Sequence, residues 1–346
     1  MSPKASSAQK ILLVIIALIT CFIIIEAYYR IFDPFPYYDE HIINQTELGN
    51  LLKHHPVYGW TGVPSGKAPL VTVNNSVWIE SNSQGYRDIE HDGVNAKPAI
   101  VFLGDSFTYG YEVEFDEMFI NILRKDLPDY EIYNLAHRGY GTDQELLVFR
   151  DWRYDGDLEY VILMFSENDV VDNMSIFRYE KPKPRFEIVN DELVLTGVPV
   201  PSVKEWEGEN SPDYGVGTIT KKIRKILLKS HFLHDISFRF RLFDIYRSGG
   251  WNLPEIPQLD TGLTKRLMME LDGIVKKRGA ELLVFFIPSK LETEKITRSA
   301  PYQNQIKVIC GELGIECVDL ADSYIESGRR AYFRKGAHWN ANGNAM

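Results

Sequence analysis

The chain has 346 residues, of which 45% are hydrophobic and 25% are charged, which is the composition of an ordinary globular protein. Its formal net charge is -10 at pH 7. Because a surface that binds nucleic acid carries a basic excess, this charge argues against a nucleic-acid partner. The length fits one large domain or two modest ones.

The cysteines are Cys21, Cys310 and Cys317, too few for a disulfide framework. Cys310 and Cys317 can pair at most once, and their spacing matches no zinc site. We expect them to be small apolar residues of the core.

The first predicted element is an apolar segment near the N-terminus. Fifteen uninterrupted apolar or neutral residues run from position 11 to position 25. A bilayer takes roughly 20 residues, but Lys10 can snorkel at one end and tyrosines can extend the other end into the interface. No small-residue cleavage site follows. We therefore expect residues 1–30 to be a cytoplasmic tip and an uncleaved single-pass membrane anchor, rather than a cleaved signal peptide.

The charges beside this segment predict its orientation. Lys4 and Lys10 precede it, whereas Asp33, Asp39 and Glu40 follow soon after it. The positive-inside rule then places the N-terminus in the cytoplasm. The rest of the chain is expected to be extracytoplasmic, in a periplasm or at a cell surface.

Residues 31–95 are rich in proline, glycine and aromatic residues, and we expect an irregular lead-in there. Strands and helices alternate from residue 96 onward. Strands are predicted at 99–105, 130–136, 159–166, 280–289 and 315–320, and helices at 115–127, 142–152 (capped by Thr142 or Asp143), 264–279 and 304–314. This alternation predicts a three-layer α/β/α domain over residues 96–346, with a mostly parallel, flavodoxin-like sheet.

Residues 174–258 interrupt the alternation and form a predicted insertion. Two alternating segments surround Asn190-Asp191, a pattern typical of a hairpin. A basic helical pattern follows at 219–246, which we interpret as a solvated face rather than a membrane-binding surface.

Residues that a serine hydrolase needs follow successive strands of this predicted sheet. Ser106 follows the first strand, Gly139 (with Gly141 as a competitor) the second and Asn168 the third, while His338 lies near the C-terminus. A serine hydroxyl needs a hydrogen-bonded base to become a nucleophile. A tetrahedral intermediate needs donors aimed at its oxyanion. The carboxyl ends of parallel strands share one edge, so we expect these residues to meet there.

The Gly-Asp-Ser at Ser106, the glycine at Gly139, the pair Asn168-Asp169 and the histidine at His338 occur in the order of a known family. Over residues 85–346 the chain resembles the SGNH hydrolase superfamily, the GDSL-type esterases and acetylhydrolases, in a membrane-anchored form. The resemblance implies that Ser106 is the nucleophile and His338 its base. It also implies an oxyanion hole made of the Ser106 and Gly139 N–H groups and the Asn168 side chain. No cofactor or metal is implied.

The chain departs from the family pattern at the acid. Family members usually place an aspartate two or three residues before the histidine, where this sequence has Gly336 and Lys335. Three alternatives stay open: a Ser–His dyad oriented by a backbone carbonyl, an acid from elsewhere, or a weakened enzyme. The candidate acids are Asp319, at the end of the last predicted strand, and Asp322.

Two further departures lie in the third block and at the C-terminus. Ser166 stands two residues before Asn168, where the family usually has glycine. A closing helix is expected after His338, but only eight residues follow it in this sequence. This spacing is consistent with a missing tail.

Three functions are compatible with these residues. The first is a membrane-tethered, extracytoplasmic serine esterase that removes acyl, most simply acetyl, groups from a glycan. The second is an O-acyltransferase of polysaccharide modification on the same fold, with polysaccharide-assembly partners in the membrane. The third is a catalytically inactive glycan-binding or scaffold protein. The sugar, the acyl group and the oligomeric state are not indicated by the sequence.

Overall fold

The computed structural model describes residues 6–32, 51–72, 74–91, 93, 97–179, 181–209, 230, 232–233, 261–294, 301–333 and 336–346. The chain divides into two compact units, residues 1–42 with 212–253, and residues 43–211 with 254–346. Most of the basic helix predicted at 219–246 lies outside the described residues.

The first unit contains helix α1, Ser7–Phe32. An 18-residue stretch of this helix has a mean hydropathy of 2.8, and the helix is long and apolar enough to be a membrane span or a signal sequence. The helix extends beyond the apolar run at both ends. Within the same unit, the Glu26 carboxylate accepts hydrogen bonds from Ser230 Oγ at 2.8 Å and from the Phe232 N–H at 3.2 Å.

The second unit contains thirteen strands in the described ranges. They are β1 Leu52–His55, β2 Gly59–Gly62, β3 Lys67–Val71, β4 Ser76–Glu80, β5 Ala99–Gly104, β6 Glu131–Asn134, β7 Leu158–Phe165, β8 Phe177–Arg178, β9 Lys181–Pro182, β10 Arg185–Val189, β11 Glu192–Thr196, β12 Glu281–Phe286 and β13 Glu316–Asp319. Its described helices are α2 Phe119–Asp126, α3 Thr142–Asp151, α4 Asp169–Met174, α5 Val203–Glu209, α6 Thr261–Lys277, α7 Lys290–Thr293, α8 Pro301–Leu313, α9 Ala321–Glu326 and α10 Ala341–Asn344.

The central sheet confirms the predicted fold class. Five strands lie in the order β13-β12-β7-β5-β6, and every neighbouring pair is parallel. This is the flavodoxin-like order. After β5 the chain adds β6 on one side, and it then adds β7, β12 and β13 on the other side, so the strand order reverses between β5 and β7. Loops after these two strands therefore border the crevice where such folds bind ligands.

Alternating side chains of the sheet fill two separate cores, which gives the three layers. On β5, Val101 and Leu103 belong to one core together with Leu267 of α6. Ile100 and Phe102 belong to the other core together with Trp339. All four are nearly or fully buried, and each contributes roughly 1.5–3 kcal/mol of hydrophobic stabilisation. A strand buried on both faces needs the unbroken apolar run seen here.

The predicted irregular lead-in is wrong for residues 51–80, which form two hairpins. β1 pairs with β2, and β3 pairs with β4, both antiparallel. On β4, Val77 and Ile79 are buried, whereas Trp78 and Glu80 are exposed. The alternation is only a few residues long and is surrounded by turn residues, so it is easily missed in the sequence.

Two further expectations need correction. Cys310 in α8 and Cys317 in β13 form a disulfide with their Cα atoms 6.3 Å apart, because the tight turn at Gly314 folds the strand back along the helix. The helix predicted at 115–127 is a 3-10 turn followed by α2, since Met118 between them has an extended backbone (ψ 134°).

The predicted hairpin of the insertion is confirmed. β10 and β11 pair antiparallel from Arg185 to Thr196. Asn190 and Asp191 lie at the turn with φ values of 51° and 66°. Two successive positive φ values are what a tight two-residue hairpin turn requires, and Asn and Asp tolerate them better than most residues.

Candidate active site

Ser106 lies just beyond the end of β5 and contacts the histidine predicted as its base. Ser106 Oγ is 2.8 Å from His338 Nε2. The backbone after the strand turns sharply, with Tyr109 N–H donating to the Asp105 carbonyl and Tyr111 N–H to the Ser106 carbonyl. Both Ser106 and His338 are half-buried. This is the distance at which a base can take the hydroxyl proton.

The position of His338 is fixed by its neighbours in chain and space. Phe333 N–H donates to the His338 carbonyl at 3.1 Å, and the adjacent Trp339 is buried in the core. The imidazole packs between Tyr111, with ring centroids 4.5 Å apart, and Phe107, at 5.2 Å. The ring is therefore held by aromatic contacts on a segment anchored by Trp339.

The second imidazole nitrogen contacts a carboxylate that the sequence analysis did not identify. Glu112 Oε2 lies 3.3 Å from His338 Nδ1, and the Glu112 side chain is only 4% exposed. Asn74 Nδ2 donates to Glu112 Oε1 at 2.8 Å, and Asn75 Nδ2 donates to the Glu112 carbonyl at 2.7 Å. The turn between β3 and β4 thus holds the acid in place.

The environment keeps Glu112 ionised. Burial alone would raise the pKa of this carboxyl, but the hydrogen bond and positive charge of His338 and the hydrogen bonds of Thr72 and Asn74 together lower the pKa below its usual value. An ionised Glu112 orients the ring with a hydrogen on Nδ1. That tautomer leaves Nε2 free to accept the proton of Ser106.

The two aspartates predicted as acids have other surroundings. Asp319 forms an ion pair with Lys307 and accepts the Ala321 N–H at 2.9 Å, while Asp322 is exposed in the first turn of α9. The Nδ1 contact belongs instead to Glu112, which corrects that prediction. A signal for Glu112 existed in the sequence: it is an acidic residue in the turn just after the nucleophile, behind Gly110, whose φ is 76°.

Gly139 follows β6 and is shaped for close backbone approach. Its φ is 72°, and a Cβ placed there would lie 2.6 Å from the ring of Tyr179. The competing Gly141 is instead the N-cap residue of α3, and its carbonyl accepts the N–H groups of Gln144 and Glu145. The cap predicted at Thr142 or Asp143 is therefore one or two residues too late.

Asn168 follows β7, at the same edge of the sheet as Ser106. Its Oδ1 accepts a hydrogen bond from Ser166 Oγ at 2.8 Å. Its Nδ2 donates to Asp172 Oδ2 at 2.9 Å and contacts Asp105 Oδ2 at 3.4 Å. The amide is thus fixed from both sides, beside the residue that precedes the nucleophile.

Buried carboxyl groups surround this part of the site. Burial raises the pKa of Asp105, of Asp169 and of Glu145, and the proximity of these acids to one another raises the values of the last two further. Asp143 forms a fully buried ion pair with Lys183, yet burial still raises the pKa of Asp143 to about 6. The buried surroundings of Asn168 consequently disfavour the ionised form of these carboxyl groups.

Comparison with known proteins finds solved structures that align with most of this chain at low sequence identity. Neither a family model nor a curated protein matches this sequence. Among solved structures, the acetyl xylan esterase AlAXEase aligns at 12% identity and a TM-score of 0.39, over 71% of this chain and 93% of that one. A member of the lipolytic protein G-D-S-L family from Veillonella parvula aligns at 10% identity and a TM-score of 0.39, over 72% and 92%. AlinE4, an SGNH-hydrolase family esterase, aligns at 12% identity and a TM-score of 0.37, over 74% and 90%.

Proposed function

We propose that the protein is a serine esterase of the SGNH type. The observation that carries the proposal is the chain of contacts from Ser106 Oγ to His338 Nε2 at 2.8 Å and from His338 Nδ1 to Glu112 Oε2 at 3.3 Å. A nucleophile, a base and an ionised acid in this order form a serine hydrolase triad, whichever part of the sequence supplies the acid. Glu112 would also supply, from another part of the chain, the acid that family members usually carry two or three residues before the histidine.

The reaction follows from these contacts. Ser106 Oγ attacks the ester carbonyl while His338 Nε2 takes the hydroxyl proton, and Glu112 stabilises the imidazolium. The N–H groups of Ser106 and Gly139 and the Asn168 amide donate to the oxyanion. The tetrahedral intermediate collapses as His338 returns the proton to the leaving alcohol. Water, activated by the same imidazole, then releases the acid from the acyl-enzyme and regenerates Ser106.

An acylated glycan is the substrate that we propose. The Tyr111 ring lies beside His338 at an interplanar angle of 57°, and Tyr179 lies against Gly139, so aromatic rings border both ends of the proposed reaction centre. Half-exposed tyrosines present apolar faces on which sugar rings can stack. One face of the Tyr111 ring is covered by the Arg138 guanidinium, which lies over it at 4.3 Å from the ring centroid. The acyl group that we propose is acetyl.

We also propose that the second unit acts outside the cytoplasm, tethered by α1. The lysines before the apolar run of α1 and the acidic residues after the helix favour a cytoplasmic N-terminus. The Cys310–Cys317 disulfide supports the same assignment, because structural disulfides persist in oxidising compartments.

The test is hydrolysis of 4-nitrophenyl acetate and of an acetylated oligosaccharide by the full chain in detergent. We expect release of acetate by the wild type and its loss in Ser106→Ala and His338→Ala. Equal rates in wild type and Ser106→Ala would refute the esterase. Acetyl transfer to an added sugar acceptor, faster than release of acetate, would identify the acyltransferase alternative instead.

A further inference from the structure

Ser166 is a buried serine at the end of β7, and its hydroxyl group contacts more oxygen atoms than it has hydrogens to donate. The residue is 3% exposed. Its Oγ lies 2.8 Å from Asp105 Oδ2, 2.8 Å from Asn168 Oδ1 and 3.2 Å from Asp169 Oδ1. A hydroxyl has one hydrogen to donate and two lone pairs to accept with. Two of these three contacts are therefore hydrogen bonds only if the other partner brings the hydrogen.

The direction of the hydrogen bonds can be worked out from the Asn168 amide. Its Nδ2 donates to Asp172 Oδ2 at 2.9 Å. Because the Asp172 carboxylate is ion-paired with Arg178, it accepts this hydrogen bond, and the nitrogen of the amide must be the atom that faces Asp172. The oxygen then faces Ser166 and can only accept. The single hydrogen of Ser166 is used on this bond. The 2.8 Å contact with Asp105 Oδ2 is a hydrogen bond only if the Asp105 carboxyl brings its own hydrogen.

We propose that Ser166 is a positioning residue for the oxyanion donor Asn168, and that it works through a neutral Asp105. In this arrangement Asp105 donates to Ser166 Oγ, and Ser166 donates to Asn168 Oδ1. Asp172 holds one hydrogen of Asn168 Nδ2. The second hydrogen of Nδ2, now in a long 3.4 Å contact with Asp105 Oδ2, is left to be donated to the oxyanion.

The surroundings of Asp105 support a neutral carboxyl. Burial raises its pKa above the usual value, although the hydrogen bond from the Phe107 N–H, the contacts with Ser166 and Asn168 and the charge of His338 act in the opposite direction. The negative charge of Asp105 would also be opposed by two other buried acids, Glu145 and Asp169. A proton on Asp105 removes that repulsion.

Position 166 is one at which this chain departs from the SGNH pattern. Where the SGNH pattern usually has glycine, this chain has a side chain that joins the residue before the nucleophile to the amide donor. A glycine cannot make that connection. The inference rests on the proposed esterase activity, because the oxyanion is formed in that reaction.

Kinetics of Ser166→Ala, with Ser166→Thr as the variant that keeps the hydroxyl, provide the first test. Removing an oxyanion donor costs about 10²–10³-fold in kcat, so a donor left in place but poorly aimed is expected to cost on the order of tenfold. We expect Ser166→Ala to lower kcat with an unchanged KM, and Ser166→Thr to recover most of the loss. An unchanged kcat in Ser166→Ala, or equal losses in both variants with matching losses in melting temperature, would refute the positioning role.

Infrared spectroscopy tests the neutral carboxyl without relying on activity. We expect the wild type at neutral pH to show a carboxylic-acid C=O band that is lost in Asp105→Asn and shifted in Ser166→Ala. Glu145 and Asp169 also face this region, so Glu145→Gln serves as the matched control and must leave the Asp105 band in place. A band that does not change in Asp105→Asn would overturn the proposal. If the wild type hydrolyses no ester while the Asp105 band is present, the proposed function fails and the proton arrangement stands.

Discussion

Glu112 and His338 lie far apart in the sequence, yet Glu112 Oε2 is 3.3 Å from His338 Nδ1. Glu112 belongs to the turn that follows Ser106 rather than to the segment that carries His338. Its buried carboxylate accepts a hydrogen bond from Asn74 and its backbone carbonyl accepts one from Asn75, both between the strands of the second lead-in hairpin. Three separate stretches of chain thus build one proton-transfer unit.

Glu112→Gln should strongly reduce hydrolysis. An amide retains the shape but removes the charge that fixes the tautomer and stabilises the imidazolium, so kcat is expected to fall by on the order of 10²–10⁴-fold with little change in KM. Asp319→Asn is the matched control, because Asp319 pairs with Lys307. Steady-state kinetics on an aryl acetate measures both. A large loss in Asp319→Asn with full activity in Glu112→Gln would contradict the assignment.

Asn74→Ala should shift the acidic side of the pH–rate profile. The variant removes the 2.8 Å hydrogen bond that stabilises the ionised form of Glu112, so the pKa of Glu112 rises and the drop in kcat on acidification begins at a higher pH. The lost bond to a charged group corresponds to about 1.5–3 kcal/mol.

The control for Asn74→Ala lies in the same part of the chain. Ser81 Oγ donates to the Val63 carbonyl at 2.9 Å, within the lead-in and without contact to Glu112. Ser81→Ala should leave the pH–rate profile in place. The same profile in wild type and Asn74→Ala would mean that Asn74 does not tune the acid.

Gly139→Ala should impair catalysis more than stability. The φ of 72° is unfavourable for alanine, and the new methyl would lie 2.6 Å from the Tyr179 ring, displacing either that ring or the backbone N–H. We expect kcat to fall about 10- to 100-fold, because an oxyanion donor is misplaced. Gly279 is the matched control, because its φ is 81° and a methyl group added there would meet no other atom within 4 Å.

Both glycine variants should lose about 1–2 kcal/mol of stability from the left-handed backbone conformation. Urea denaturation measures that loss, and kinetics separates the two positions. If Gly279→Ala lowers kcat as much as Gly139→Ala, the effect is a general consequence of destabilisation and the Gly139 N–H is not a specific donor.

His137 should make the fold sensitive to mild acid. Burial lowers the pKa of this imidazole to about 3 from the ordinary 6.5, so below pH 6.5 the unfolded chain binds a proton that the folded chain does not. Stability must then fall as the pH drops from 6.5 toward 3, by about 2 kcal/mol at pH 5. Urea denaturation at pH 7 and pH 5 should show this loss in the wild type and a smaller loss in His137→Gln.

His91 provides the control with the opposite sign. Burial lowers the pKa of His91, but its hydrogen bonds to Asp88 and Glu131 and the negative charge of Asp88 outweigh burial, so the net pKa is raised. His91 therefore stabilises the fold at low pH, and that contribution is lost as the pH rises through its folded pKa. His91→Gln should steepen the acid loss. A steeper loss in His137→Gln would contradict the buried neutral imidazole.

The disulfide should leave one free thiol in the native protein. The chain has three cysteines, and Cys310 is bonded to Cys317 while Cys21 is free. We expect a thiol reagent under denaturing conditions to count one thiol before reduction and three after it. Closing so short a loop is worth about 2–3 kcal/mol by the chain-entropy argument, so Cys310→Ala should lower stability by that amount. Three free thiols in protein isolated from its native host would argue against an oxidising compartment.

Much of the sheet could be predicted because its causes are local. Strand β7 is an apolar run of the length that suits burial on both faces, and β5 ends at the polar turn that carries Ser106. The alternation with helices then dictates parallel pairing and a shared carboxyl edge. The short strands β1–β4 could not be recognised, because a period of two over four or five residues, among prolines and glycines, barely differs from chance.

The sequence by itself indicated Ser106 as the candidate nucleophile and His338 as its candidate base, since both belong to short motifs whose spacing and order are readable along the chain. It also determined the apolar N-terminal helix, because a long apolar segment is a property of composition alone. Only the tertiary structure decided the contact between Glu112 and His338, the contacts of Ser166 and the pairing of Cys310 with Cys317. Each of these depends on which distant side chains meet in a buried space, where the cost of an unpaired charge or hydrogen-bonding group selects the partner, and no local pattern records that selection.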